Sequence, residues 1–445
     1  MCGIIITKRP HLVNELRHRG LICNWVDKFG YRIAHHWLPI QTHPDQDEAQ
    51  PFVYPDGSIL LFNGEIFNYP SRYKSDAEYL KDLFGSESIQ SITHEANGWD
   101  GFWSIVFITP SGTMYCFTDP LGKKQLYYNE HGEICSEIRP LLPDCLIDNL
   151  KADPLFRSSV AKWGYNRDDH TPWKGIKRIL PNRVYAFNSG KILVVWPYEY
   201  FDWSQDPGTK DLREALYTSV KRRLISKQEK IACLVSGGLD SSIIAYILTD
   251  LGSDVSYYTT DNADDWGYVK ELANHLGVPV TTKHYSMVKD EIYDDLEWNE
   301  TPIDLGSVIP QHALLRGMNE KIVLTGDGAD ELFGGYRRID QYDSQYSDVF
   351  EELTYYHLPR LDRASMRYTI EMRNPFLSHD VVKIALGLPL SERTHKKVLK
   401  DMFRKELPDV ILDRPKLPLK NDIIRRDPMG YRLHTIDSFY KMYGL

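Results

Sequence analysis

A chain of 445 residues is too long for one ordinary hydrophobic core, so its length predicts two domains of roughly 200 residues each. Its 42% apolar and 26% charged residues are normal for a globular protein, and a net charge of -9 argues against binding a nucleic-acid backbone. The six cysteines include no CxxC pair, no apolar run is long enough to span a membrane, and the N-terminus lacks a signal-peptide pattern, so we expect a cytoplasmic protein without membrane association.

Short β-rich segments separated by turns follow one another from Ile4 to about Tyr200. Runs of β-branched and aromatic residues predict strands over 58–64 and 103–108. Residues 183–196 are typical of a hairpin that turns at 188–190. The first half of the chain is therefore expected to consist mainly of β structure.

The pattern changes at a polar, proline-containing stretch, residues 201–209, which precedes a helix predicted over 211–225. Beyond it, strand patterns alternate with helix patterns, which indicates βα units on a parallel sheet. The predicted strands are 231–235, 255–259 and 321–325, and the helices between them include 242–251 and 267–276. We place an N-terminal domain at 2–200 and a C-terminal domain at 208–445.

A glycine-rich turn with the sequence SGGLDSS, residues 236–242, joins the first of these strands to its helix. Gly237 and Gly238 let the backbone approach an anion closely, the helix N-terminus offers unpaired N–H groups, and the serine hydroxyls add further donors. The residues of a Walker loop and of a dinucleotide GxGxxG motif are missing. A serine-capped turn is the alternative, but the full segment favours phosphate binding.

A second loop rich in glycine and carboxylates, residues 325–336, follows the strand predicted over 321–325. Ligands collect at the carboxyl ends of the strands in an open parallel sheet, so we expect the two loops to converge on one site. Asp240, Asp327 and Asp330 would then hold Mg²⁺ against phosphate oxygens. The alternative is a solvated turn with surface acids.

The N-terminus carries a second chemical signal. Removal of the initiator methionine would give Cys2 a free α-amine, which titrates at roughly pH 8 and can act as the base for its own thiol. Asn63 and Gly64, at the end of a predicted strand, are suited to an oxyanion hole, and Glu65 and Asp76 to a substrate ammonium. An Asn-Gly hairpin turn is the alternative interpretation of residues 63 and 64.

These motifs together resemble the asparagine synthetase family, which joins a class II glutamine amidotransferase domain to an ATP-pyrophosphatase domain. The resemblance covers nearly the whole chain in the family's order. Its segments are residues 1–3, 17–20, 63–68, 75–76, 119–124, 127–128, 136–137, 236–242, 326–336, 371–377 and 396–400. The resemblance implies an N-terminal αββα Ntn-hydrolase sandwich of two antiparallel sheets and a C-terminal doubly wound domain with a parallel sheet.

For the N-terminal domain, the resemblance implies that Cys2 attacks the side-chain amide of glutamine. Asn63 and Gly64 would stabilise the oxyanion, while Glu65 and Asp76 would hold the amino acid. A glutamyl thioester forms and ammonia leaves.

For the C-terminal domain, the resemblance implies Mg-ATP binding and adenylation of a substrate carboxylate, which ammonia then attacks. Asp240 and Asp330 would lie near pyrophosphate and metal, Asp327 would assist proton transfer, and Lys396 would stabilise charge as AMP departs. The residues assigned to ATP are Leu234, Ser236, Gly237, Gly238, Asp240, Ser241, Ser242, Thr325 and Gly326. Aspartate is the leading acceptor, and the expected cofactors are ATP and Mg²⁺.

Two departures from the family pattern bear on the substrates. Trp37 stands where relatives usually carry an arginine that pairs with the glutamine carboxylate, and Arg32 or His36 is the candidate replacement. Residues 259–266 replace a glycine-containing turn near the nucleotide, which leaves the acceptor open. The alternatives are another carboxylate, such as a sugar acid, a peptide or a β-amino acid, or a non-catalytic nucleotide-binding relative. The expected partners are small molecules, not nucleic acid, and a homodimer is allowed.

Overall fold

The computed structural model describes residues 2–41, 49–144, 150–188, 190–197, 211–226, 230–261, 263–284, 289–302, 305–336, 349–415, 428–443 and 445. Twelve strands in this part of the chain precede residue 200. They are β1 Cys2–Thr7, β2 Ile22–Lys28, β3 Tyr31–Trp37, β4 Phe52–Val53, β5 Ile59–Ile66, β6 Gly101–Ile108, β7 Met114–Thr118, β8 Tyr127–Asn129, β9 Ile134–Cys135, β10 Ile176–Arg178, β11 Arg183–Asn188 and β12 Lys191–Pro197.

These strands form two antiparallel sheets of six strands each. The first has the order β10-β8-β9-β1-β3-β2, and the second has the order β12-β11-β7-β6-β5-β4. Because side chains alternate between the two faces of a strand, Ile4 and Ile6 of β1 are buried between the sheets and Ile5 is buried on the outer face of the first sheet. The apolar layer between the two sheets is the core of this half.

Helices cover the outer face of each sheet. Asp76–Ser86 and Ile89–Glu95 pack on the second sheet, and Pro154–Trp163 packs on the first. The last helix of the chain, Pro428–Met442, also packs on the first sheet, through Ile436. Short 3₁₀ helices at Pro10–Arg19, Ala96–Gly98 and Arg139–Leu141 complete this half. The predicted αββα sandwich is confirmed.

The second half contains a parallel sheet, as predicted. Its strands are β13 Ile231–Leu234, β14 Val255–Thr260, β15 Val280–Lys283, β16 Ile322–Leu324 and β17 Glu371–Arg373, in the order β15-β14-β13-β16-β17. Every neighbouring pair runs parallel. Because β13 lies between β14 and β16, the loop that follows it is next to the loop that follows β16.

Helices of the second half alternate with these strands. They are Leu212–Arg222, Leu239–Asp250, Ala263–Leu276, Lys289–Asn299, Leu305–Leu315, Ala329–Leu332, Leu358–Met366, His379–Gly387, Leu390–Arg393, Lys397–Met402 and Asp409–Leu412, with 3₁₀ turns at Pro375–Leu377 and Thr394–Lys396 and a π-helical turn at Leu353–His357. None of the helices in the described residues combines the length and the apolar character needed to cross a bilayer.

Most predicted elements lie where the sequence placed them. Strands β11 and β12 pair as the predicted hairpin. The helix predicted over 242–251 begins earlier, at Leu239, because the polar residues of the SGGLDSS segment form its first turn. The predicted domain boundary at 201–209 lies outside the described residues.

Candidate active sites

Cys2 opens β1 and lies at the interface between the two antiparallel sheets. Its backbone nitrogen donates a hydrogen bond to Asn63 Oδ1 at 3.1 Å, which links the two sheets. Burial raises the pKa of the Cys2 thiol, and a hydrogen bond from the Leu38 N–H partly offsets the rise. The thiol is therefore held neutral at rest and needs a base to become a nucleophile.

Asn63 and Gly64 lie inside β5 rather than in a turn, so the hairpin interpretation is wrong. They pair with Ser104 and Trp103 of β6. Gly64 has a φ of +150°, and a Cβ there would lie 2.0 Å from the Phe102 carbonyl oxygen, so only glycine fits. Asn63 Nδ2 lies 3.4 Å from Ser104 Oγ, while Oδ1 holds the Cys2 nitrogen. Through this hydrogen bond, the Asn63 side chain fixes the backbone nitrogen of Cys2 and so orients the residue that carries the thiol.

Beyond burial, the charge of Asp76 also raises the pKa of the Cys2 thiol, so Asp76 lies near it, and Glu65 lies two residues after Asn63 on β5. Burial raises the pKa of Glu65 well above its usual value; Glu371 and Asp76 raise it further, and Arg373 lowers it. Asp76 accepts hydrogen bonds from the N–H groups of Ile66 and Ala77, at 2.9 and 2.8 Å. Asp76 is thus fixed in position, and Glu65 is the carboxylate that would gain most from a bound cation.

A residue of the second half reaches this site. Arg373 of β17 lies 3.9 Å from Glu65 Oε2 and donates from Nε to Glu371 at 2.6 Å. It also donates to the carbonyls of Arg223 and Ile225, at 2.6 and 2.8 Å. Sequence reasoning assigned Glu371 and Arg373 no role. Their spacing of two on a short strand, which puts opposite charges on one face, was the available signal.

A second buried ion network joins the two halves. Asp362 accepts from Arg19 Nη2 at 2.9 Å and from Lys124, and Arg19 also donates to Glu137 at 2.9 Å. Burial alone would raise the pKa of Asp362, but Lys124 and Arg19 lower it to about 2. Because Arg19 Nε also donates to the Cys2 carbonyl at 3.1 Å, this network fixes the strand that carries the thiol.

In the second half, the SGGLDSS segment folds as a tight loop on the N-terminus of helix Leu239–Asp250. The Ser236 nitrogen and hydroxyl each lie 3.1 Å from Ser241 Oγ, and the Gly238 N–H donates to Ser236 Oγ at 3.3 Å. Gly237 has a φ of +67°, and a Cβ there would lie 2.5 Å from Tyr268. The loop therefore has the compact backbone that an anion site at a helix N-terminus requires.

The two predicted loops converge. A Cβ on Gly326 would lie 2.8 Å from the Ser241 nitrogen, so the loops are in direct contact. Lys396 Nζ lies 2.5 Å from both Asp240 Oδ2 and Asp330 Oδ1 and so connects a carboxylate from each loop. Burial alone would lower the pKa of Lys396, but these two carboxylates outweigh it and raise the pKa.

This arrangement fits a divalent cation bound with phosphate. Two carboxylates from separate loops reach one point, and hard cations prefer such oxygen donors. The ammonium of Lys396 now lies at that point. The backbone of this residue is fixed by its own N–H, which donates to the Phe333 carbonyl at 2.9 Å. Lys396 has a φ of +59°, a left-handed conformation that aims its side chain at the loops.

The remaining predicted residues lie around the same point. Leu234 ends β13 and Thr325 follows β16 directly. The Thr325 hydroxyl accepts from Asn374 Nδ2 at 2.9 Å, and Asn374 Oδ1 accepts from Lys123 at 2.7 Å. Asp327 is half-buried, and its N–H donates to Thr325 Oγ1 at 3.4 Å. Asn374 is a supporting residue that the sequence did not single out.

Neither proposed replacement for the missing arginine reaches Cys2. Arg32 pairs with Thr7 at the opposite end of β1 and is bound to Asp27 at 2.8 and 2.9 Å. His36 lies on the other face of β3, where its ring nitrogens meet the carbonyls of Gly20 and Val13 at 2.9 and 2.8 Å. The residue across from Cys2 is Trp37.

Comparison with known proteins agrees with this geometry. The Glutamine amidotransferase domain model matches residues 1–200, and the Asparagine synthase model matches residues 211–354 and 340–436. The chain is 25% identical to the glutamine-hydrolyzing asparagine synthetase of Brassica oleracea, over 97% of this chain and 78% of that protein. It is 24% identical to the glutamine-hydrolyzing asparagine synthetase B of Escherichia coli, over 83% of this chain and 71% of that protein.

The fold and the two sites thus define an enzyme class, an amide-forming carbon–nitrogen ligase that carries its own glutamine amidotransferase domain. Both halves match in the same order as in the relatives. The chain belongs to the asparagine synthase family.

Proposed function

We propose that the chain transfers the side-chain amide nitrogen of glutamine to a carboxylate that it first activates as an acyl adenylate, with aspartate the leading acceptor and asparagine the product. The observation that carries the adenylation step is the meeting of Asp240 and Asp330, from two loops, at the ammonium of Lys396. A carboxylate is a poor electrophile, and conversion to an adenylate gives it a good leaving group. The expected compartment is the cytoplasm.

At the first site, removal of Met1 would turn the Cys2 nitrogen into an α-amine held by Asn63 Oδ1 at 3.1 Å. That amine would take the thiol proton as Sγ bonds to the amide carbon of the donor. The N–H of Gly64 and the amide of Asn63 would stabilise the oxyanion, and Glu65 and Asp76 would hold the donor ammonium. Loss of ammonia leaves a glutamyl thioester, which water hydrolyses.

At the second site, the N–H groups and hydroxyls of residues 236–242 would bind the ATP phosphates, with Leu234, Thr325 and Gly326 beside the nucleotide. Asp240 and Asp330 would hold Mg²⁺, which when bound neutralises phosphate charge. Lys396 would stabilise the charge that develops as pyrophosphate and then AMP depart, and Asp327 would accept a proton from the attacking ammonia.

The acceptor is the least constrained part of this proposal. Aspartate is favoured because the relatives named above are asparagine synthetases. Another carboxylate, such as a sugar acid, a peptide or a β-amino acid, would be activated by the same chemistry. A nucleotide-binding relative without turnover would form no AMP with any acid.

Product analysis by mass spectrometry tests the proposal. Purified protein is incubated with Mg-ATP, aspartate and either amide-¹⁵N glutamine or ¹⁵N ammonium, beside a Cys2→Ala variant. We expect labelled asparagine and AMP from both nitrogen sources, with the glutamine reaction lost in the variant and the ammonium reaction kept. AMP without asparagine would assign another acceptor, and the absence of AMP with every acid tested would overturn the ligase function.

A further inference from the structure

A row of three buried side chains crosses from the first half of the chain to the second site. Lys123 lies between β7 and β8, Asn374 follows β17, and Thr325 follows β16. At most 3% of each residue is exposed. Lys123 Nζ donates to Asn374 Oδ1 at 2.7 Å, and Asn374 Nδ2 donates to Thr325 Oγ1 at 2.9 Å. These hydrogen bonds join the antiparallel sandwich to the end of a parallel strand.

The direction of each hydrogen bond in this row is fixed. Lys123 Nζ also donates to the Met372 carbonyl and lies 3.8 Å from the centre of the Phe102 ring, and all three neighbours attract N–H groups. An ammonium has donors only, so the amide oxygen of Asn374 has to face Lys123 and its NH₂ has to face Thr325. Burial lowers the pKa of Lys123, but a neutral amine would still offer an N–H to each of the two oxygens.

The Thr325 hydroxyl stands at the end of the row. A hydroxyl has two acceptor lone pairs and one O–H donor. Oγ1 accepts from Asn374 Nδ2 and from the N–H of Asp327, at 2.9 and 3.4 Å, which uses both lone pairs. Among the described residues, no acceptor takes the hydroxyl hydrogen. Because a buried donor without a partner is costly, this hydrogen is available to a bound ligand.

The position of Thr325 indicates which ligand group it meets. The next residue, Gly326, packs against the SGGLDSS segment, since a Cβ on Gly326 would lie 2.8 Å from the Ser241 nitrogen. The oxygens of a phosphate in a nucleotide accept hydrogen bonds, and a hydroxyl that can only donate is matched to them. A ligand N–H at this place would find no acceptor on Thr325.

We propose that Lys123 and Asn374 are positioning residues that hold the Thr325 hydroxyl as a hydrogen-bond donor to the α-phosphate of the bound nucleotide. The proposal rests on the adenylation function given above and adds two residues to its nucleotide site, one of them from the first half of the chain. Asn374→Asp reverses the row, because a carboxylate accepts from Lys123 and from the Thr325 hydroxyl alike and so turns the hydroxyl hydrogen away from the ligand.

Nucleotide binding tests the proposal without relying on turnover. Equilibrium dialysis with the full chain gives Kd for AMP and for adenosine, which lacks the phosphate, in the wild type, Thr325→Ser, Thr325→Val and Asn374→Asp. Thr325→Val and Asn374→Asp should each raise Kd for AMP by about tenfold, the loss of one hydrogen bond to a charged group, and leave Kd for adenosine unchanged. Thr325→Ser keeps the hydroxyl and should keep the wild-type ratio.

Double variants separate positioning from a change of charge. If Asn374 acts through the hydroxyl, Asn374→Asp should not weaken AMP binding further in the Thr325→Val background. Lys123→Met frees the Asn374 amide to rotate, so it should weaken AMP binding alone but not in that background. Gln90→Glu adds the same charge as Asn374→Asp at an exposed position of helix Ile89–Glu95, on the outer face of the second sheet, and should bind AMP like the wild type.

The wild-type comparison does not depend on how well the variants fold. Equal Kd values for AMP and adenosine in the wild type would overturn the phosphate contact. A further loss of AMP affinity when Asn374→Asp is added to Thr325→Val would assign its effect to charge repulsion, and equal losses for AMP and adenosine would assign Thr325 to the base or ribose; either result overturns the proposal. If the wild type binds neither ligand, the adenylation function itself fails.

Discussion

The two sites use their sheets in opposite ways. Cys2, Asn63 and Glu65 lie within strands β1 and β5 of an antiparallel sandwich and are buried. The second site lies on loops beyond the ends of parallel strands, where Ser236 is exposed and Asp240 is half-buried. Strand register fixes the first set of side chains, whereas the second set is positioned by ion pairs between loops.

This difference also appears in the electrostatics. Burial is the largest cause of the raised pKa at Cys2 and Glu65, which lie in a water-poor layer. At Lys396, burial alone would lower the pKa, but the carboxylates of Asp240 and Asp330 outweigh burial, so the pKa is raised. A site inside a sandwich is therefore tuned by desolvation, and a site on loops is tuned by its counter-ions.

The largest effect is expected where the two regions meet, at Asp362. Asp362→Asn should destabilise the fold by about 3–5 kcal/mol, because Arg19 and Lys124 would lose the charge of their buried partner. Urea unfolding measures the change. The control Asp437→Asn removes a half-exposed ion pair to Arg157, 2.7 Å long, and should cost at most about 1 kcal/mol.

The pH dependence of this stability follows from the depressed pKa of Asp362. The carboxyl has a pKa of about 2 in the fold against a usual 3.8, so its stabilising charge is present above the usual value and is lost as pH falls toward 2. The wild-type advantage over Asp362→Asn should thus be constant from pH 5 to pH 7. Equal stabilities of the two proteins in that range would show that the network contributes nothing.

The next effect tests the ion pairs of the loop site. Lys396→Met should slow ammonium-dependent AMP formation by about 10²–10³-fold, because it removes the cation between Asp240 and Asp330. Glutaminase activity should remain, since the partners of Lys396 within the described residues are Asp240, Asp330 and Phe333, which all belong to the loop site. Lys397→Met is the matched control, because this lysine is exposed and its ion pair among the described residues is a surface pair to Glu392 at 3.1 Å. Similar rates of AMP formation for the two variants would show that Lys396 does not act in adenylation.

A smaller effect tests the strand-borne site. Gly64→Ala should destabilise the fold by about 1–3 kcal/mol and abolish glutaminase activity, because alanine strains a φ of +150° and meets the Phe102 carbonyl. Gly98→Ala is the control, since a Cβ there meets no atom of the described residues within 4 Å. Urea unfolding compares the two variants, and equal stability would mean that β5 relaxes around the new methyl group.

The loop site was the easier one to predict from sequence. The glycines and serines of the SGGLDSS segment lie within seven consecutive residues, so a loop at a helix N-terminus can be predicted from this short stretch alone. The strand-borne site left alternatives, because Asn63-Gly64 is equally typical of a turn and only the pairing with β6 shows otherwise. The strands predicted over 58–64 and 103–108, the hairpin at 183–196 and the parallel sheet also followed from local patterns.

The contacts between the halves could not be predicted. Arg373 meets Glu65, and Asp362 meets Arg19, across some 300 residues or more of chain. No local pattern encodes a partner at such a separation, since each charged residue by itself is most simply explained as a solvated side chain. The same limit explains why Arg32 remained a candidate for the Cys2 site until the register of β1 and β3 placed it at the far end.

The smallest effect concerns the pH dependence of donor binding at Glu65. Its raised pKa means that the protonated form persists to higher pH than for an ordinary carboxyl, and only the ionised form attracts an ammonium. KM for the amide donor should therefore rise as pH is lowered through this raised pKa and fall as pH increases. Glu65→Gln should give a higher KM that no longer changes over that range. Glu78→Gln, in the first turn of helix Asp76–Ser86, should keep the wild-type profile. If Glu65→Gln retains the slope instead, another group binds the ammonium, and Asp76 is next to test because it also lies in this layer.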